Sequence, residues 1–216
     1  MKKTFRFSIV AGSFACLALF AALPAVAQLD RLYVKADLGG NLTQDTDLKD
    51  FFGPVTPGSK VKFDPGLRFG LAVGYQLTDW FAPEFEFGLM QNSIRSITEA
   101  TRVDAWFSSV PFMLNAKFRC PGHCRFAPYI GGGVGGSTSV FTVDHIDRNQ
   151  FTDVSGDDSD TVFAYQGFAG FRYRLNEQMG LSLEYRYFAS DGPRWEGIAF
   201  GHIRTHALSV AFDYSF

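Results

Sequence analysis

The stretch His206–Phe216, HALSVAFDYSF, places Leu208, Val210, Phe212, Tyr214 and Phe216 on every second position, with Ser209, Ala211, Asp213 and Ser215 between them. A β-strand sends successive side chains to opposite faces, so this segment reads as a strand with one wholly apolar face and one small or polar face. A soluble domain gains nothing by ending on five alternate apolar side chains. The test of the segment's meaning is whether its pattern recurs.

It recurs through the chain. Leu32, Val34, Ala36 and Leu38 alternate with Tyr33, Lys35 and Asp37, and Leu67, Phe69, Leu71, Val73 and Tyr75 alternate with Arg68, Gly70, Ala72 and Gly74. A third segment sets Phe81, Pro83, Phe85, Phe87 and Leu89 against Glu84, Glu86 and Gly88. A fourth sets Trp106, Val110, Phe112, Leu114, Ala116 and Phe118 against Ser109, Asn115, Lys117 and Arg119. The glycine-rich APYIGGGVGGSTSVF makes a fifth whose phase the residues leave open. Phe163, Tyr165, Ala169, Phe171 and Tyr173 oppose Gln166, Gly170, Arg172 and Arg174 in a sixth, and Met179, Leu181, Leu183, Tyr185 and Tyr187 oppose Ser182, Glu184 and Arg186 in a seventh. The terminal stretch is the eighth.

A β-sandwich also alternates. Two further features separate the cases. The polar face mixes small, charged and glycine residues, while the apolar face is dense in Phe, Tyr and Trp; the chain has 24 Phe and 22 Gly in 216 residues at a mean hydropathy of only −0.01. The connections also alternate in length. Thr78-Asp79, the CPGHC turn and Asn176-Glu177 are short, whereas residues 41–65, 92–104, 142–160 and 189–203 form long connections. An even strand number with alternating short turns and long loops predicts an all-β, eight-stranded antiparallel up-and-down transmembrane β-barrel, with short periplasmic turns and long extracellular loops.

The amino terminus fits export. Lys2, Lys3 and Arg6 precede the apolar run FSIVAGSFACLALFAAL, and Ala25-Val26-Ala27 follows as a small-residue cleavage site, so residues 1–27 read as a signal peptide and 28–216 as the barrel domain. Cleavage removes three basic residues and no acid, turning 20 Lys+Arg against 22 Asp+Glu into 17 against 22, a net charge of −5. Nothing in that balance suggests a nucleic-acid partner. Cys16 leaves with the signal peptide. Cys120 and Cys124 remain, and in an oxidising compartment an even pair around a Pro-Gly turn is expected to form a disulfide; with His123 they make only a three-ligand cluster, so no metal site is expected.

The chain resembles the small eight-stranded outer-membrane barrels that include the OmpA transmembrane domain, OmpX and the Opa-like proteins. The resemblance is carried by LYVKADLGGN, APYIGGGVGG, FAYQGFAGFRYRL and the closing LSVAFDYSF, and covers nearly all of residues 28–216. It implies residence in the bacterial outer membrane among its lipids and lipopolysaccharide. It further implies recognition of Phe212, Tyr214 and Phe216 by the barrel-assembly machinery. Some members carry a peptidoglycan-binding domain after the barrel; with the sequence ending at Phe216, no anchoring to the cell wall is expected.

Eight strands enclose an interior just wide enough to be filled by side chains. The inward phase holds Lys35, Arg68, Lys117, Arg119, Arg172, Arg174 and Arg186 with Asp37, Glu84, Glu86, Glu184 and Asp213. Charges at mid-depth need partners, so Lys35, Asp37, Arg68, Glu84, Glu86, Lys117, Arg172, Glu184, Arg186 and Asp213 are expected to form an ion-pair network that plugs the lumen. A narrow selective pore is the alternative use of the same residues.

An enzyme needs a nucleophile within reach of a base. His123 and His145 fall in connections. His202 and His206 lie four apart on one strand face, about 13 Å from each other, and Ser209 faces the opposite way from His206. The chain is therefore expected to be non-enzymatic, with lipid A modification the weaker alternative, no cofactor, and His206 an interface residue. Binding to a host or surface ligand would fall to the long loops. Asp144, Asp147, Asp153, Asp157, Asp158 and Asp160 form a solvated acidic loop or a calcium site, without EF-hand spacing. Trp195, Ile198 and Phe200 beside Arg194 belong either to an aromatic girdle with Trp106 and Tyr187 or to a partner-binding patch.

Overall fold

The structure is a computed structural model describing residues 31–51, 53–98, 100, 102–121, 125–147, 156–195 and 197–216. The proposed signal peptide lies outside them. Among the described residues twelve strands form: β1 (Leu32–Thr43), β2 (Thr46–Phe51), β3 (Lys60–Phe63), β4 (Gly66–Tyr75), β5 (Phe81–Ile97), β6 (Arg102–Arg119), β7 (Phe126–Asp147), β8 (Gly156–Arg174), β9 (Met179–Ser190), β10 (Arg194–Trp195), β11 (Ile198–Phe200) and β12 (Ile203–Ser215). Eight of them, β1, β4, β5, β6, β7, β8, β9 and β12, pair antiparallel in a closed ring. Closure is made by β1 with β12, from Tyr33 opposite Ser215 to Thr43 opposite Thr205. The expected barrel is therefore the fold, and no sheet edge is left in its wall.

The two faces of this wall are inverted relative to a soluble protein. Leu67 is 69 % exposed and its neighbour Arg68 is fully buried. Leu38, Leu114, Ile130, Val134, Leu183, Leu208 and Val210 likewise point out, while the charged residues point in. Water outside would penalise every one of those leucines, and only a hydrocarbon surround makes the arrangement favourable.

The glycine-rich strand acquires its phase from what packs against it. A Cβ on Gly131 would strike the ring of Phe168, and one on Gly133 would strike the side-chain amide of Asn115, both of which point into the lumen. Gly131 and Gly133 therefore face inward, and Ile130 and Val134 outward. Periodicity could not show this, because glycine carries no polarity to alternate.

The barrel is uneven in height. Strands β6, β7 and β8 have 18, 22 and 19 residues, against 10 in β4 and 12 in β1 and β9. A membrane crossing takes about 9–11 strand residues, so the β5–β8 side stands well above the bilayer. The connections expected over 92–104 and 142–160 are largely extensions of these strands. On the lower side the connections fold: β2 and β3 arise within 41–65, β10 and β11 within 189–203, and β11 pairs with β2, β2 with β3, and β3 with β5. These small strands cover an apolar cluster of Leu48, Phe51, Val61, Phe63, Ile94, Ile97, Phe107, Phe141, Trp195, Ile198, Phe200 and Ile203.

Candidate functional site: the lumen and its two closures

Alternation on five wall strands delivers charged side chains to one level of the lumen. Arg68 donates Nε to Asp37 at 3.0 Å and Nη2 to Glu86 at 2.6 Å. Arg186 reaches Glu86 at 2.9 Å with one arm and Glu184 with the other. Lys35 donates to Glu184 at 3.1 Å and Lys117 to Glu84 at 3.1 Å. At 3.9 Å Lys35 also attracts Glu84 without a hydrogen bond. Four cations meet four carboxylates, and Arg68, Glu86, Glu184 and Arg186 have no exposed surface.

Neutral side chains complete this lattice. Tyr33 and Tyr129 donate their hydroxyls to Glu84 and Glu184, at 2.5 and 2.9 Å. Asn115 and Gln166 donate to Glu86, at 2.9 and 3.3 Å. The Lys117 ammonium lies over the Tyr129 ring, 4.5 Å from its centroid, and the Arg186 guanidinium over Phe168 at 4.8 Å. Tyr33 stands in the inward phase but outside the expected network, and Tyr129 and Phe168 are lumen residues that the sequence pattern does not assign, because aromatic character elsewhere marks the lipid face. The phase of Tyr33, shared with Lys35, is the signal that would have placed it.

Arg172 pairs with Asp213 through two hydrogen-bonding arms, apart from the lattice and nearer the periplasmic mouth. Arg119 donates Nε to the Asp79 carbonyl at 2.9 Å, and Arg174 stands half-buried at the same mouth.

The outer closure is apolar. Trp195 stacks on Phe141 at 5.2 Å and meets Phe200 edge-on at 4.9 Å, while Phe107 contacts both Trp195 and Phe200. A profile of the family described as outer membrane protein beta-barrel domain matches residues 12–216. The chain belongs to this family.

Solved structures of outer-membrane barrels share the fold. Neisserial surface protein A is 16 % identical, at a TM-score of 0.57 with 86 % of this chain and 97 % of that one covered. OprG from Pseudomonas aeruginosa is 19 % identical, at 0.56 with 86 % and 95 % covered. The outer membrane protease OmpT from Escherichia coli is 10 % identical, at 0.52 with 88 % and 98 % covered. Among curated proteins none matches the sequence. At these identities the likeness is one of architecture alone.

Trp195, Ile198 and Phe200 are neither girdle nor exposed patch: they are 7 %, 5 % and 3 % exposed and form the centre of the cap. Strand formation in the connections turns them inward, which composition alone does not reveal. Trp106 does lie on the outer face, 42 % exposed. His206 sits on the outer face of β12, its Nδ1 at 2.7 Å from the Tyr185 hydroxyl and its Nε2 at 2.8 Å from Gln44 Nε2. His202 lies 3.4 Å from Asp191, both exposed. Asp160 accepts a hydrogen bond from the Arg194 backbone at 2.8 Å; the side chains of the other five aspartates lie outside the description. Cys120 is exposed, and its expected partner Cys124 lies outside the described residues, as does His123. The terminal Phe216 donates its backbone N–H to Leu32 at 3.0 Å, and its ring meets Tyr214 edge-on at 5.2 Å.

Proposed function

We propose that the protein is a non-enzymatic, closed barrel whose work is structural and at the cell surface. The observation that carries this reading is the double closure of the lumen: a charge-neutral lattice at mid-depth and an apolar cap above it. Moving an ion past Glu86 requires breaking contacts that hold fully desolvated charges, which costs several kcal/mol per ion. The other use of the same residues, a selective pore, needs a hydrated path that the buried lattice does not favour.

The non-enzymatic reading is supported by the engagement of His206 with Tyr185 and Gln44, with Ser209 on the opposite face of the strand. The outward leucines and aromatics take up membrane lipid and lipopolysaccharide, and the cap presents the surface that a host or environmental ligand would meet. Phe212, Tyr214 and Phe216 serve as the signal for the assembly machinery, after export by the cleaved segment 1–27.

Planar-bilayer recording on the purified barrel tests the closed lumen. The expected trace is electrically silent. A stable ion-selective conductance from the unaltered protein would overturn the reading.

A further inference from the structure

The central lattice is neutral, but the periplasmic mouth beneath it is not. Lys117, Arg119, Arg172 and Arg174, with Tyr33 and Asp213, line a cavity of about 40 Å³ there. Lys117 is taken by Glu84 and Arg172 by Asp213. Among the described residues, no carboxylate lies within ion-pair distance of Arg119 or Arg174. Arg119 lies within electrostatic range of Arg172 and Arg174 as well as of Asp79, so three guanidinium groups meet at one opening whose lining includes a single acid, Asp213. The close approach is built in: Arg172 packs over Gly180, where any Cβ would collide with its guanidinium.

From this convergence of forks around a small polar cavity we propose that the periplasmic mouth binds a phosphate-type oxyanion through Arg119, Arg172 and Arg174. Guanidinium groups match phosphate oxygens in pairs, and their attraction is strengthened where low-dielectric walls focus the field. A buried water needs about 10–15 Å³ of such space, so the cavity holds roughly three waters, a volume suited to a phosphate group. The phosphate belongs either to a phospholipid headgroup of the periplasmic leaflet or to a free phosphate of the periplasm. The proposal does not rest on the lumen being closed.

The test uses full-length protein extracted from membranes, with the mobility shift between unheated and boiled samples as the check of folding. Calorimetric titration with inorganic phosphate is expected to show saturable binding to the unaltered protein and to the control Arg125→Gln, which lies outside the cavity lining. The double variant Arg119→Gln/Arg174→Gln is expected to bind at least tenfold more weakly; if it yields no folded band, Arg174→Gln alone should show a several-fold loss. In a second arm, protein from nanodiscs of phosphatidylglycerol or phosphatidylcholine is delipidated and retained lipid is counted by native mass spectrometry. Retention of phosphatidylglycerol that the variant loses identifies a headgroup; phosphate binding without retained lipid identifies the free anion. No saturable binding in either arm, or equal binding by the arginine variants, overturns the site.

Discussion

Glu86 and Arg186 stand 100 residues apart in the chain and 2.9 Å apart across the lumen. Glu86 on β5 also accepts from Arg68 on β4, Asn115 on β6 and Gln166 on β8, so one carboxylate ties together five of the eight wall strands. Replacing it by Gln leaves Arg68 and Arg186 each short of a counter-charge in a fully buried setting. Loss of one partner of a buried pair costs about 3–5 kcal/mol, and Glu86→Gln should lower the urea midpoint of unfolding in lipid vesicles accordingly. Glu86→Gln combined with Arg186→Met should be much less damaging than the sum of the two. Strict additivity would mean the pair is not coupled.

The cap separates packing from polarity. Phe107 touches Phe63, Trp195 and Phe200, and Phe107→Ala should cost the cap about 3–5 kcal/mol. Limited proteolysis of intact vesicles would register this as faster cleavage between β2 and β3, with the barrel's gel shift unchanged. Trp195 is different, because its indole N–H is buried without a partner among the described residues. Trp195→Phe removes a buried donor that satisfies nothing, so cap protection should stay within about 1 kcal/mol of the original or improve.

Gly170 lies under the Tyr129 ring and hydroxyl, which leads on to Glu184 at 2.9 Å. A valine there would press on the Leu183 carbonyl oxygen as well as on Tyr129, and overpacking of this kind costs about 1–3 kcal/mol. Gly170→Val is expected to destabilise the barrel by that amount in the same urea assay. Tyr129→Ala should remove the side-chain part of the penalty and leave the part due to the Leu183 carbonyl; an undiminished penalty in that background would place the clash wholly at the backbone.

Phe216 contributes one backbone hydrogen bond to Leu32 and leaves its ring 52 % exposed. Deleting it should therefore impair refolding in detergent only slightly while strongly reducing the amount of barrel inserted in cells, measured by fractionation and gel shift. Equal losses in the two assays would make Phe216 a structural residue and remove its role as an assembly signal.

Much of the wall was legible, since a strand buried on one face against charges and on the other against lipid writes a period of two into Leu67–Tyr75 or Leu208–Phe216. The inward set from Lys35 to Asp213 followed by parity alone. Two kinds of feature did not follow. Gly131 and Gly133 have no side chains, so the phase of their strand is set only by the packing of Phe168 and Asn115 against it. The cap was hidden because Val61 and Phe63 alternate with Lys60 and Lys62 over only four residues, too short a run to stand out within a 25-residue connection. A loop over that segment offers Trp195 and Phe200 nothing to pack against.

The cap also gives the two halves of the molecule different heat-capacity signatures. Its apolar cluster is gathered out of water, a transfer with a large heat-capacity change whose driving force fades as temperature falls. The wall beneath is held by inter-strand hydrogen bonds in hydrocarbon, where no water competes for them. Cooling thus loosens the face turned to the surroundings while leaving the membrane span closed.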